Sequence, residues 1–112
     1  MNQREELIAK YATDLKEKFN IDADMDLLTK ITIGLGPSIY NPDSSTVSSS
    51  DVSELDRVKN NFLIKKLGLI DSSALDEGIT SVMERYGQSN RNKYRVVVYY
   101  LLTKHFGKEA AY

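Results

Sequence analysis

Apolar residues recur at three- and four-residue spacings along most of the chain, the repeat of a helix that buries one face. In residues 3–19, Leu7, Ile8, Tyr11, Leu15 and Phe19 share a face. Glu5 and Glu6 sit at the end where the helix dipole favours acids, Lys16 and Lys18 where it favours bases. Asn20 is the expected stop. A second helix is predicted over 25–35, with Asp24 as N-cap and Leu27, Leu28, Ile31 and Leu35 buried. Its Ile-Thr-Ile stretch is β-branched enough for a short strand, but no partner strand stands nearby. Gly36 and Pro37 end it, glycine as a left-handed cap and proline by refusing to continue. A third helix is predicted from the capping box Asp51-Val-Ser-Glu54 to Leu67, with Gly68 after it. Its apolar residues spread over a wide arc that encloses Lys59, whose ammonium reaches either solvent or a polar pocket. A fourth runs from Ser72 or Ser73 to Tyr86 and stops at Gly87.

The pattern culminates in residues 89–106, SNRNKYRVVVYYLLTKHF. On a helical wheel, Tyr94, Val97, Val98, Leu101, Leu102 and His105 fall on one face, and Val96, Tyr99 and Tyr100 on the opposite one. A helix apolar on two sides is buried between layers. The β-branched run also suits a strand, but its length, from Asn90 to Phe106, favours a helix. The chain is therefore expected to form one all-α domain over 1–112: five helices, the last one central, and one long loop after the second. That loop, the Ser-rich 37–50, carries the turn signal Asn41-Pro42-Asp43. Loops of this length in a small domain are often functional or mobile.

Composition narrows the chemistry. The 112 residues are 41% hydrophobic and 28% charged, ordinary globular usage. The absence of cysteine excludes disulfides and thiolate chemistry, and a single histidine, His105, excludes a multi-histidine metal site within one chain. Asp22, Asp24 and Asp26 alternate as in a calcium loop, but Leu27 and Ile33 stand where such a loop needs glycine and a bidentate glutamate. The longest unbroken apolar run, 96–102, is seven residues, far short of the ~20 of a membrane helix. With a charged, non-secretory start, this suggests a cytoplasmic protein without membrane association. The net charge of −1 hides an asymmetry: residues 1–56 hold eleven acids and five bases, residues 57–112 five acids and ten bases. Pairing between oppositely charged helices is the simplest account of that split.

No catalytic or cofactor motif is present. The Gly-Leu-Gly-Pro at 34–37 lacks the Lys-Ser/Thr of a P-loop. His105 lies on the apolar face beside Leu101 and Leu102, where a packing role is expected. A basic surface of Lys65, Lys66, Arg85, Arg91, Lys93 and Arg95 with Tyr86 and Tyr94 could contact nucleic acid, but a pI near 5.8 speaks against it.

The segments DMDLLTKITIGLGPSIYNPD, VKNNFLIKKLGL and YGQSNRNKYRVVVYYLLTKHFGKE resemble a small bacterial family, the domain-of-unknown-function family numbered 2853. The resemblance covers 24–109. It implies a cytosolic bacterial protein and transfers no catalytic residue and no cofactor.

What remains is the start of the last helix. Bases at 91, 93 and 95 oppose the dipole of a helix beginning at 90, so something must offset them: a bound phosphate or carboxylate, or acids such as Asp22, Asp24, Asp26 or Asp43. The sequence favours a non-enzymatic binding or interaction module. Its candidate residues are Ser38, Tyr40, Asn41 and Asp43 in the loop and Asn90, Arg91, Lys93 and Arg95 at the helix start. These two groups are expected to meet. A small anion, a protein partner and self-association through Tyr99 or Tyr100 all remain open, with nucleic acid the weakest alternative.

Overall fold

A computed structural model describes residues 2–87, 90 and 92–112. Among these residues the chain forms five helices and no β-strand: α1 (Gln3–Phe19), α2 (Met25–Leu35), α3 (Val52–Arg57), α4 (Ser73–Tyr86) and α5 (Arg95–His105). Short 3₁₀ turns follow α2 and α5, at Gly36–Tyr40 and Glu109–Ala111. The caps explain the boundaries. Asn2 accepts the Glu5 amide at 2.8 Å, Asp24 the Leu27 amide at 3.2 Å and Asp51 the Glu54 amide at 3.3 Å. Asn20 closes α1 in the left-handed helical region at φ 55 and ψ 38, whereas Gly36 closes α2 at φ 62 and ψ −145, a glycine turn other than the left-handed cap expected. The Ile-Thr-Ile stretch is helical, with Ile31 buried and Ile33 half exposed.

Two departures from the periodic pattern carry consequences. First, α3 does not run as an α-helix to Leu67: from Val58 to Lys66 it widens into a π-helix. The Leu67 amide donates to the Phe62 carbonyl, five residues back, at 2.9 Å. Widening brings Val58, the adjacent pair Phe62 and Leu63, and Leu67 all into the core. The Phe62 ring stacks on Tyr99 of α5 at 3.8 Å. Lys59, on the same segment, ties to Asp71 at 3.1 Å and Asp76 at 3.3 Å, and so pins α3 to the start of α4.

Second, α5 begins at Arg95, not at Asn90. Tyr94, just before it, is extended and pairs with the Ser-rich loop through an antiparallel bridge to Thr46. The Val47 amide donates to the Lys93 carbonyl and the Arg95 amide to the Ser45 carbonyl, each at 2.8 Å.

From Val96 to Thr103 every residue of α5 is buried, as its two-sided apolar pattern predicts. Around it pack Tyr11 and Leu15 of α1, Leu28 and Ile31 of α2, Val58 and Leu63 of the π-helical segment, and Val82 of α4. Each buried aliphatic side chain of this kind contributes about 1.5–3 kcal/mol. Tyr99 and Tyr100 are 9% and 2% exposed, which removes them as a surface for self-association. Helices α4 and α5 run antiparallel: the Phe106 ring covers Gly78 near the start of α4, and the Tyr94 amide donates to the Tyr86 hydroxyl at its end, at 3.2 Å. A Cβ on Gly78 would lie 2.6 Å from Phe106 Cζ. That contact accounts for a glycine inside a helix, where it costs roughly 1 kcal/mol relative to alanine.

Candidate functional site

Arg95 is the first residue of α5 and opposes the dipole there. What offsets it is Glu54, not Asp22, Asp24, Asp26 or Asp43. An Arg95 Nη donates to Glu54 Oε1, with both side chains about one-eighth exposed. The same guanidinium donates to the Ser44 carbonyl at 2.8 Å, the Thr46 carbonyl at 3.3 Å and the Tyr99 hydroxyl at 3.4 Å. Arg57 holds the other Glu54 oxygen at 2.7 Å. Burial raises the Glu54 pKa, but the hydrogen bonds from Arg57 and Arg95 outweigh it and hold the carboxyl below its ordinary value. Arg95 is therefore a clamp that fastens the Ser-rich loop and α3 to the start of α5. Of the acids first considered, Asp22 pairs with Lys16 at 3.1 Å, Asp26 pairs with Lys30 at 2.9 Å, and Asp24 caps α2.

Beside this clamp the loop and the extended segment enclose a polar hollow of about 220 Å³. Its lining includes Ser48, Ser49 and Ser50 on one side and Asn90 and Lys93 on the other, with Thr46 and Val47 completing it. Lys93 is 3% exposed, and its ammonium donates to the Asn90 carbonyl. Burial lowers its pKa. No carboxylate lines the hollow among the described residues. Ammonium and hydroxyl donors in a concave, partly dry site suit an anion.

The loop's other candidates serve different ends. The Ser38 hydroxyl donates to the Leu35 carbonyl, and the Ser44 hydroxyl to the Ser38 carbonyl, each at 2.8 Å. The Asn41 side chain accepts the Asp43 amide at 2.9 Å and so shapes its own turn. Asp43 is exposed. Tyr40 is 44% exposed and lines a separate hollow with Arg4, Thr32, Ile33, Gly36 and Pro37. Arg91 lies outside the described residues. Asn90 and Lys93 thus share a hollow with Ser48, Ser49 and Ser50, which periodicity did not single out. The available signal was the serine run itself, three hydroxyls with no core to serve.

A second network locks the same segment from behind. The Tyr86 hydroxyl donates to the buried Asp14 carboxylate, which also takes Lys18 at 3.2 Å. Burial, and then the hydrogen bond to Asp14, raise the Tyr86 pKa strongly. Tyr11 packs its ring on Tyr94 at 5.4 Å, and burial lifts its phenol to about 12. Tyr86, Lys93 and Arg95 are therefore inside the fold rather than on a basic face.

His105 is exposed at the end of α5, not packed into the core as its wheel position suggests. Its ring meets Phe106 edge-on at 4.7 Å. No helix among the described residues is long and apolar enough to cross a membrane. Comparison with curated proteins gives no match. Residues 10–110 match the model of a family described as proteins of unknown function, DUF2853, and the chain belongs to that family.

Proposed function

We propose that the protein is a non-catalytic binding module that takes a small anion, a phosphate or carboxylate, into the hollow between the Ser-rich loop and Asn90 and Lys93. The observation that carries this reading is the donor set: the Lys93 ammonium and three serine hydroxyls line one concavity without a carboxylate. The Arg95–Glu54 clamp supports it by holding both walls in place before a ligand arrives. The cysteine-free sequence fits a cytoplasmic setting.

A thermal-shift series with inorganic phosphate and acetate tests the reading. A bound anion stabilises the native state by about 2.7 kcal/mol at a hundredfold excess over Kd. Ser49→Ala and Lys93→Gln should abolish the shift. An unchanged melting temperature at every anion concentration would remove the proposal.

A second reading, contact with a protein partner or another copy, is favoured at one place. Ile33 is 51% exposed and Tyr40 44%, side by side with Pro37. Light scattering at rising concentration, with Tyr40→Glu as control, separates a dimer from a monomer.

A further inference from the structure

A larger hollow, of about 400 Å³, opens along the second half of α5, against the last turn of α4 and the turn between α1 and α2. Its floor is apolar, made by Ile21, Tyr100 and Leu101; its rim is basic, made by Arg85, Lys104 and His105. The one acid in the lining, Asp22, already holds Lys16 at 3.1 Å. Arg85 has no carboxylate partner among the described residues, and its guanidinium lies 5.4 Å from the Phe19 ring centroid. The Lys104 ammonium lies 6.0 Å from the centroid of the Tyr100 ring, and its ion pair with Glu109 is a loose 3.8 Å between two side chains that are each nearly half exposed. The Tyr100 hydroxyl is occupied by the Asp24 amide at 2.8 Å, so this residue offers the hollow its ring rather than its oxygen.

Helix dipoles explain part of this. Arg85 closes α4, and Lys104 and His105 close α5, where positive charge is favoured. The dipoles do not explain why bases from two antiparallel helices converge across an apolar floor, with the acid of the lining, Asp22, paired to Lys16 and Glu109 only loosely paired to Lys104. Chemistry of this kind suits a ligand that is charged at one end and apolar at the other. The volume lies in the range of small-molecule sites.

We infer that this cleft is a second binding site, for a small organic anion: a phosphate or carboxylate carried on an aromatic or apolar body. Arg85 grips the anionic group through paired N–H donors; from the other wall Lys104 adds charge and His105 an imidazole donor. The body of the ligand lies on Tyr100, Leu101 and Ile21. The site is independent of the Lys93 hollow, which is polar throughout its donor face and has no comparable floor.

Phenyl phosphate is the probe, titrated into the isotopically labelled full chain and followed by ¹H–¹⁵N NMR, with inorganic phosphate as the comparison. Phenyl phosphate should shift Leu101, Lys104 and His105 saturably. Arg85→Gln and Lys104→Gln should each weaken it about tenfold or more, the loss expected for one charge-assisted hydrogen bond. Both side chains are exposed, so these variants retain the fold, and a dispersed spectrum verifies it. Lys93→Gln should leave the phenyl phosphate response unchanged, which separates this site from the loop hollow. Three results would each overturn the inference: no saturable shift at these residues, wild-type affinity in both variants, or equal affinity for inorganic phosphate at the same residues.

Discussion

The two ends of α5 are both basic, and they use their charge in opposite ways. At the start, Lys93 and Arg95 are drawn into the protein, and Arg95 is answered by Glu54 and by loop carbonyls. At the far end, Lys104 and His105 stay at the surface with Arg85 and face an apolar floor with little counter-charge. The difference shows that a base opposing a helix dipole is not in itself a sign of a ligand. Arg95 opposes the dipole because a partly buried carboxylate offsets it. The bases at the far end agree with the dipole and are left with coordination to spare. The first end builds a small rigid hollow of donors, the second an amphipathic cleft.

The largest effect expected from breaking this contrast is on stability at the first end. Glu54→Ala leaves the partly buried Arg95 charge with carbonyl partners but no carboxylate and should cost about 2–3 kcal/mol in chemical denaturation. Arg85→Gln, at the far end, should stay within about 0.5 kcal/mol of the wild type. If the two variants lose equal stability, the distinction between clamp and open rim is wrong.

The next effect concerns the lock behind the loop. Tyr86→Phe removes the donor to Asp14 and the acceptor of the Tyr94 amide, and should cost about 1–3 kcal/mol. In the same denaturation series it should also loosen the hollow and weaken phosphate binding, while phenyl phosphate binding stays intact.

A smaller effect appears with pH, and the two kinds of group act at opposite ends of the scale. Glu54 has a lowered pKa in the folded protein, so its contribution is complete above its unfolded value of about 4.3 and is lost as pH falls through the folded one. Denaturation midpoints between pH 6 and pH 3 should therefore fall less steeply in Glu54→Gln than in the wild type. Tyr11 and Tyr86 have raised values, so their contributions are complete below the unfolded value of about 10 and are lost as pH rises beyond it. Tyr86→Phe should flatten that alkaline loss. A wild-type slope in either variant would show that the group does not carry the linkage.

The smallest expected change in stability accompanies one of the sharpest changes in binding. Ser49→Ala lies in the loop, outside the core, and should leave the denaturation midpoint within about 0.5 kcal/mol while removing the phosphate response.

Much of the fold was legible because its signals are local. Asn2 through Asn20, and Asp24 through Gly36, follow from caps and one apolar stripe, and the burial of α5 follows from its two apolar faces. The π-helical turn of α3 was not legible, because it answers to the stacking of Phe62 on Tyr99, thirty-seven residues away in the chain. The late start of α5 has the same kind of cause. The residues around Lys93 carry a helical sequence pattern, but the Lys93 carbonyl is taken by the Val47 amide and the Arg95 amide by the Ser45 carbonyl. Sequence reading named Asn90 and Lys93 by their place at the entry to the last helix, and the two line one hollow. It missed Glu54 as the counter-charge because a capping box already accounted for that residue. It missed Arg85 and Lys104 as a pair because each conforms to the dipole rule when read alone. Tyr40 and the start of α5 line different hollows, since Ser44, Ser45 and Thr46, not 38–43, make the contact.

The most direct test is a single ¹H–¹⁵N NMR experiment on the wild-type chain, titrated first with inorganic phosphate and then with phenyl phosphate. The account predicts that inorganic phosphate shifts Ser48, Ser49, Ser50, Asn90 and Lys93, and that phenyl phosphate then shifts Leu101, Lys104 and His105 as a separate set. A single set of residues responding alike to both anions, or no saturable response at either end of α5, would contradict it.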